Sequence, residues 1–181
     1  MPIREKTHRL DDSAYRGQRT VSFSACIARR SKVFSGPDRV DPVVEMLRVA
    51  VEDNSCFVPA YCFMPDHVHL LISGRLPTSD IKRAMDAFKY ESGHWFLRNA
   101  AGVEWQRNYY DHVIRHTESL SNHVVYTLNN PVRAGLVDHW NDYPFSGSIG
   151  VDLVEYLRDL EESVKFGGLH GGSERRRRKF D

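Results

Sequence analysis

The 181-residue sequence predicts an α+β domain: an antiparallel sheet of four strands with two helices on one face, the ferredoxin-like plan, plus an additional helix that carries a tyrosine. Three observations lead there. Segments of alternating polar and apolar residues, rich in β-formers, interleave with segments whose apolar residues recur at helical spacing. Their order is β-α-β-β-α-β-α, and the first six elements fit a sheet with both helices packed on one side. With 41% hydrophobic and 27% charged residues, the chain buries one ordinary core and has no room for two.

The elements follow in order. Residues 1–18 are polar and aperiodic and read as a flexible arm or a strap, ahead of a main domain over 19–150. Thr20 to Ile27 (TVSFSACI) alternates as a half-buried strand does. Asp41 caps a first helix with Pro42 at its first position, and Val43, Val44, Leu47, Ala50 and Val51 form its apolar face to about Asn54. Phe57 to Met64 and His67 to Ser73 are β-rich runs joined by Pro65-Asp66, a dipeptide suited to a tight turn.

Thr78-Ser79-Asp80 starts a second helix, on which Ile81, Ala84, Met85, Phe88 and Trp95 share a face and Lys82, Arg83 and Lys89 fall mostly elsewhere. After the break at Ala100-Ala101-Gly102, Glu104 to Arg115 reads as an aromatic-rich strand. Glu118 to Asn129 forms the third helix, which ends at Asn130-Pro131 because the residue before proline disfavours α geometry. Val137 to Ser148 looks irregular. A C-terminal helix over 151–168 and a glycine-rich, basic tail over 169–181 complete the chain.

Charge is unevenly spread. Residues 1–40 carry nine Lys/Arg against four Asp/Glu, and residues 174–181 carry five against two, which leaves an acidic middle under a net charge of +1. Basic ends around an acidic body suit a polyanion outside and a cation within. Cys26, Cys56 and Cys62 are odd in number with no CxxC spacing, and the N-terminus lacks the apolar core of a signal peptide, so a reducing cytoplasm is expected. No apolar run has the length to cross a bilayer.

Two constellations carry chemistry. In a strand, His67 and His69 project from one face while Val68, Leu70 and Ile72 project from the other, and two imidazoles ~7 Å apart can grip one metal ion. A solvent-facing pair would read the same. Tyr126 and Asn130 are four residues apart and share a helical face, where a phenol can act as a covalent nucleophile and a carboxamide oxygen can approach the same point. A core-edge tyrosine with a helix-capping asparagine is the other reading.

FMPDHVHLLI, WQRNYYDHVIR and YTLNNPVRAGLV, in this order and at these separations, resemble the single-tyrosine HUH transposases, specifically the REP-associated tyrosine transposase branch, over roughly residues 15–150. The resemblance implies the ferredoxin-like core. It implies cleavage and rejoining of single-stranded, hairpin-bearing DNA through a 5′-phosphotyrosine at Tyr126. It also implies a divalent metal on His67, His69 and Asn130, with Mg²⁺ or Mn²⁺ suiting the mixed donor set. REP-like hairpins are the implied partner, at the nucleoid, and a monomer is favoured over a homodimer.

Arg115, Arg133, Lys82, Arg83, Lys89, Arg175, Arg176, Arg177 and Arg178 are the candidate DNA contacts. Trp105, Tyr109 and Tyr110 are candidates for stacking on unpaired bases. Asp66 reads as a turn former, His112 and His116 as surface or structural, and His123 as a surface residue or a proton-transfer aid. A protein of the same fold that binds structured nucleic acid without cutting it is the alternative reading.

Overall fold

The computed structural model describes residues 11–115 and 118–159. The first ten residues, His116, and the greater part of the expected C-terminal helix and basic tail, Arg175 to Arg178 included, lie outside them.

The sheet is antiparallel throughout and has five strands: β1 (Thr20–Cys26), β2 (Cys56–Met64), β3 (His67–Gly74), β4 (Tyr110–Val113) and β5 (Ser146–Ile149), in the order β4-β1-β3-β2-β5. Helices α1 (Pro37–Glu52) and α2 (Ile81–Asn99) are the crossovers β1–α1–β2 and β3–α2–β4, each of which skips one strand. That is the expected ferredoxin-like core. α1 and α2 cover one face, where Val21, Phe23, Val68, Leu70 and Ile72 of the sheet meet Val43, Leu47, Met85 and Phe88 in the main core.

The additional helix lies on the opposite face. In α3 (Leu120–Leu128), Val124 and Leu128 pack against Ala60 and Leu71 as a second, smaller core. A short α4 (Asn130–Arg133) follows a break at Asn129, and a further helix occupies 153–159. The strands are therefore covered on both sides, which accounts for the unbroken apolar run Leu70-Leu71-Ile72.

Several boundaries differ from expectation. Pro37, preceded by extended Gly36, takes the first position of α1, and Pro42 sits inside the helix. β4 covers only four residues, because Trp105 makes a lone bridge to Ile27 and turns its indole toward Phe34, Phe88 and Phe96. Asn130-Pro131 starts α4 as well as ending α3, with proline in the first turn where its missing N–H costs nothing. β5 arises within the stretch read as irregular. Its Ser-Gly-Ser sequence has little β preference, but Gly147 lies against Tyr61 so closely that a Cβ there would sit 2.9 Å from the phenolic oxygen.

Part of the N-terminal arm is fastened. Asp12–Tyr15 forms a 3-10 turn, and Tyr15, 2% exposed, donates its hydroxyl to the buried Asp111 carboxylate on β4. A buried carboxylate that loses such a donor is left partly unsatisfied. Tyr15→Phe should therefore cost about 1.5–3 kcal/mol in urea unfolding. A loss below about 0.5 kcal/mol, the range of ordinary surface substitutions, would mean that the strap contributes no stability through this bond.

Candidate functional site

The α3 face of the sheet is set by register. In the β1–β3 pairing Ser24 lies opposite His69 and Cys26 opposite His67; Cys62 and Met64 flank the histidines from β2. Both imidazoles therefore project to the side that α3 covers, away from the main core.

Each ring is held at Nδ1. Ser24 Oγ lies 2.8 Å from His69 Nδ1, and Asp66 Oδ1 lies 2.6 Å from His67 Nδ1. Asp66 is itself fixed by Arg30, whose Nε is 2.8 Å from Oδ2. Arg29 and Arg30 both have φ of 58°, and this left-handed turn sends the Arg30 guanidinium back toward the site. With Nδ1–H donating to Ser24 and to Asp66, the two Nε2 atoms converge, 3.1 Å apart. Second partners of this kind orient metal-binding histidines and settle their tautomer.

The electrostatics agree with the geometry. Burial is the largest cause that lowers the pKa of both histidines; His69 falls to about 3, helped by the positive groups of His67, Arg133 and Arg30, while Asp66 pulls His67 partly back. Neutral imidazoles are what a metal requires. Two metal–nitrogen bonds of about 2.0–2.1 Å, at angles of about 90–110°, place donor nitrogens about 2.9–3.4 Å apart, a range that includes the observed separation. The pair therefore fits a single divalent ion.

Tyr126 stands on α3 above this face, 54% exposed. The Arg133 guanidinium lies over its ring, 4.3 Å from the centroid, and the same charge is felt at His69. Arg133 thus connects the phenol to the histidine pair. Asn130 donates from Nδ2 to the carbonyls of Tyr126 and Thr127, both at 3.1 Å, which leaves the carboxamide oxygen as its outward end.

The other candidates fall in different places. Arg115 lines a cleft of about 750 Å³ beside the strap, together with Arg16 and Arg19. Lys82, Arg83 and Lys89 are on α2, across the sheet from the histidines; Lys82 pairs with Asp86, and Lys89 donates to the carbonyls of Gln106 and Arg107. Trp105 is bound into the core through Ser92, and Tyr109 packs its ring against Phe23 while its hydroxyl donates to the exposed Asp86, whereas Tyr110 is 40% exposed opposite Ser24 on the histidine face. Sequence reasoning missed Ser24 and the Arg30–Asp66 link. The alternation of TVSFSAC puts Ser24 on the polar side of its strand, but only the register brings it to His69.

The family profile described as "Transposase IS200 like" matches residues 18–129. A Haemophilus influenzae protein described as a REP-associated tyrosine transposase is 33% identical over 101 residues, which cover 48% of this chain and 56% of that protein. The REP-associated tyrosine transposase of Escherichia coli is 30% identical over 108 residues, 56% of this chain and 62% of that protein. The chain thus spans less than two thirds of either relative. Among solved structures, a REP-associated tyrosine transposase bound to a REP hairpin superposes with a TM-score of 0.64 at 23% identity, over 79% of this chain and 82% of that one, and shares the fold.

The depressed histidine pKa values have a consequence for stability. An unfolded histidine takes a proton near pH 6.5, whereas folded His69 resists protonation to about pH 3, so the unfolded state binds more protons between these limits. Stability then falls as pH drops through 6.5, by up to about 1.4 kcal/mol per pH unit for each such site. In urea unfolding with a chelator present, the wild type should lose more stability from pH 7 to pH 5 than His69→Gln does. Equal losses would count against a buried neutral His69.

Proposed function

The chain belongs to the IS200-like transposase family, and on that premise we propose that it cleaves and rejoins single-stranded DNA through a transient phosphotyrosine bond at Tyr126. The observation that carries this reading is the convergence of two neutral, anchored Nε2 atoms on the face that bears the tyrosine helix. His67 and His69 would hold a divalent metal, with the Asn130 carboxamide oxygen as the third donor. Imidazole and carboxamide together suit Mg²⁺ or Mn²⁺ and leave positions open for substrate oxygens. Bound there, such an ion supplies Lewis-acid polarisation of the scissile phosphate.

The chain's own residues do the rest. Tyr126 Oη attacks phosphorus in line, the bond from phosphorus to the 3′ oxygen breaks, and the DNA is left with a free 3′-hydroxyl and a 5′ end on the phenol. The phenolic proton passes to solvent, which reaches the half-exposed ring, and the leaving 3′ oxygen takes one up. Arg133 restricts the ring and places positive charge beside the incoming phosphate. A second 3′-hydroxyl reverses the step, so the bond energy is conserved and no nucleotide cofactor is needed.

A phosphate that must meet both a strand-borne histidine pair and a helix-borne phenol has to lie on an unpaired, flexible backbone. A stem beside it offers phosphates for the basic groups to hold, and the structural neighbour is described as bound to a REP hairpin. Hairpin-bearing single strands are the substrate this supports, engaged by a monomer. Arg16, which also pairs with Asp80, and Arg19 and Arg115 line the cleft and are proposed to track the strand, and Arg175 to Arg178 are proposed as stem contacts on charge alone.

Two measurements test this reading. Tyr126→Phe removes one oxygen and little volume, so cleavage of a labelled hairpin substrate should fall by about a thousandfold or more while binding persists. The wild type alone should give a protein–DNA adduct that survives boiling in detergent. A variant within tenfold of the wild type removes Tyr126 as the nucleophile, and binding without any adduct favours the non-cleaving alternative. Separately, replacing Arg16, Arg19 and Arg115 with alanine should weaken single-strand binding and flatten its salt dependence by about 0.7 in log–log slope for each phosphate that is no longer neutralised. An unchanged slope places the strand elsewhere.

A further inference from the structure

A second cluster of side chains of the metal-ligating types lies on the same face of the sheet. His112 on β4 and His123 on α3 both direct Nε2 at one oxygen of Glu118, at 2.7 and 3.2 Å, and the two rings are roughly parallel with centroids 6.0 Å apart. All three potential ligand atoms fall within 4.8 Å of one another. Such donors close to about 3–3.5 Å around a bound ion, and side chains that are 28–34% exposed have the freedom to make that adjustment.

The cluster is separate from the first pair. His112 is opposite Ser22 on β1, two residues from Ser24 and one strand farther out than it, so its Cα lies ~12 Å from that of His69 by strand spacing and rise. One ion cannot span both.

We propose that His112, Glu118 and His123 form a second divalent-metal site that clamps the tyrosine helix to the sheet. Two imidazoles and one carboxylate are a three-ligand set for a borderline ion such as Zn²⁺ or Co²⁺, and they leave a fourth position open. The set also differs in kind from the first, which has no carboxylate donor. Its ligands come from three places that the chain must bring together: β4, the segment just before α3, and the first turn of α3. His123 is three residues before Tyr126, so the two share one side of α3 and fixing the first fixes the second.

Without an ion, the same three groups still hold one another. Each Nε2–H donates to the carboxylate, and the two histidines keep Glu118 below the usual carboxylate range. The carboxylate is ready to ligate, and each imidazole need only carry its proton on Nδ1 to present Nε2 as a donor atom to the ion.

The test uses Co²⁺ as probe and the chelator-treated full chain carrying His67→Ala/His69→Ala, so the outcome does not depend on the first pair. That protein should bind one Co²⁺, with the visible absorption of a low-coordinate ion, and melt at higher temperature when Co²⁺ or Zn²⁺ is added. Adding His112→Ala/His123→Ala should weaken binding by about a hundredfold or more and remove the thermal shift. Should circular dichroism show that this variant fails to fold, Glu118→Gln decides instead, since the carboxamide fills the same space without the charge. The proposal is overturned if the parent binds no Co²⁺, or if binding survives unchanged in a folded His112→Ala/His123→Ala or Glu118→Gln variant. Either result would leave the three residues as a hydrogen-bonded brace.

Discussion

The register of β1 against β3 is the constraint on which the site depends. Cα pairing of Ser24 with His69 and of Cys26 with His67 fixes which side of the sheet each residue faces. A slip by one residue would turn both imidazoles into the phenylalanine-rich core and move Val68, Leu70 and Ile72 out of it to the α3 side. Burial of those three apolar side chains thus orients the chemistry, because the residues that stabilise the sheet alternate with those that act on it. Register also brings Ser24 within reach of His69, so the same pairing that aims the ring settles its tautomer.

Two nitrogen lone pairs 3.1 Å apart repel unless something positive lies between them. The proposed divalent ion would supply that positive charge. The surrounding groups favour a metal ion over a proton at that point. Burial and the nearby Arg30 and Arg133 oppose a second proton on the rings, and the Nδ1 partners keep both Nε2 atoms facing inward.

Much of this was legible from residue order. The period-two alternation of HVHLLIS put His67 and His69 together, whereas the helical spacing expected for Tyr126 and Asn130 is interrupted at Asn129, so that Asn130 opens α4. The ferredoxin-like core followed from element order, since each helical crossover between neighbouring runs leaves few ways to close the sheet. What escaped had no local signature. β5 forms because an exposed edge of β2 accepts Ser-Gly-Ser, not because that tripeptide favours a strand. Asp66 looked like a turn residue, and it does stand in a turn; its hydrogen bonds to His67 and Arg30 come from the chain around it. His112, read as surface or structural, and His123, read as a surface residue or a proton-transfer aid, meet only because α3 folds back over the edge strand. The side of the sheet that α3 would take could have been inferred, since three consecutive apolar residues on β3 require cover on both faces.

The five-stranded sheet is also a partition. Phe23, Phe63, Phe88 and Phe96 are packed on one side, while the tyrosine helix rests on the other through a smaller core, Val124 and Leu128 against Ala60 and Leu71, ringed by half-buried side chains such as Ile114, Leu120, Trp140 and Tyr156. In evolutionary terms the two sides answer to different pressures. Drift in the thin layer can retarget or silence the proposed chemistry while the thick layer continues to fold, so descendants that have lost Tyr126 would persist as intact scaffolds, open to reuse as nucleic-acid binders.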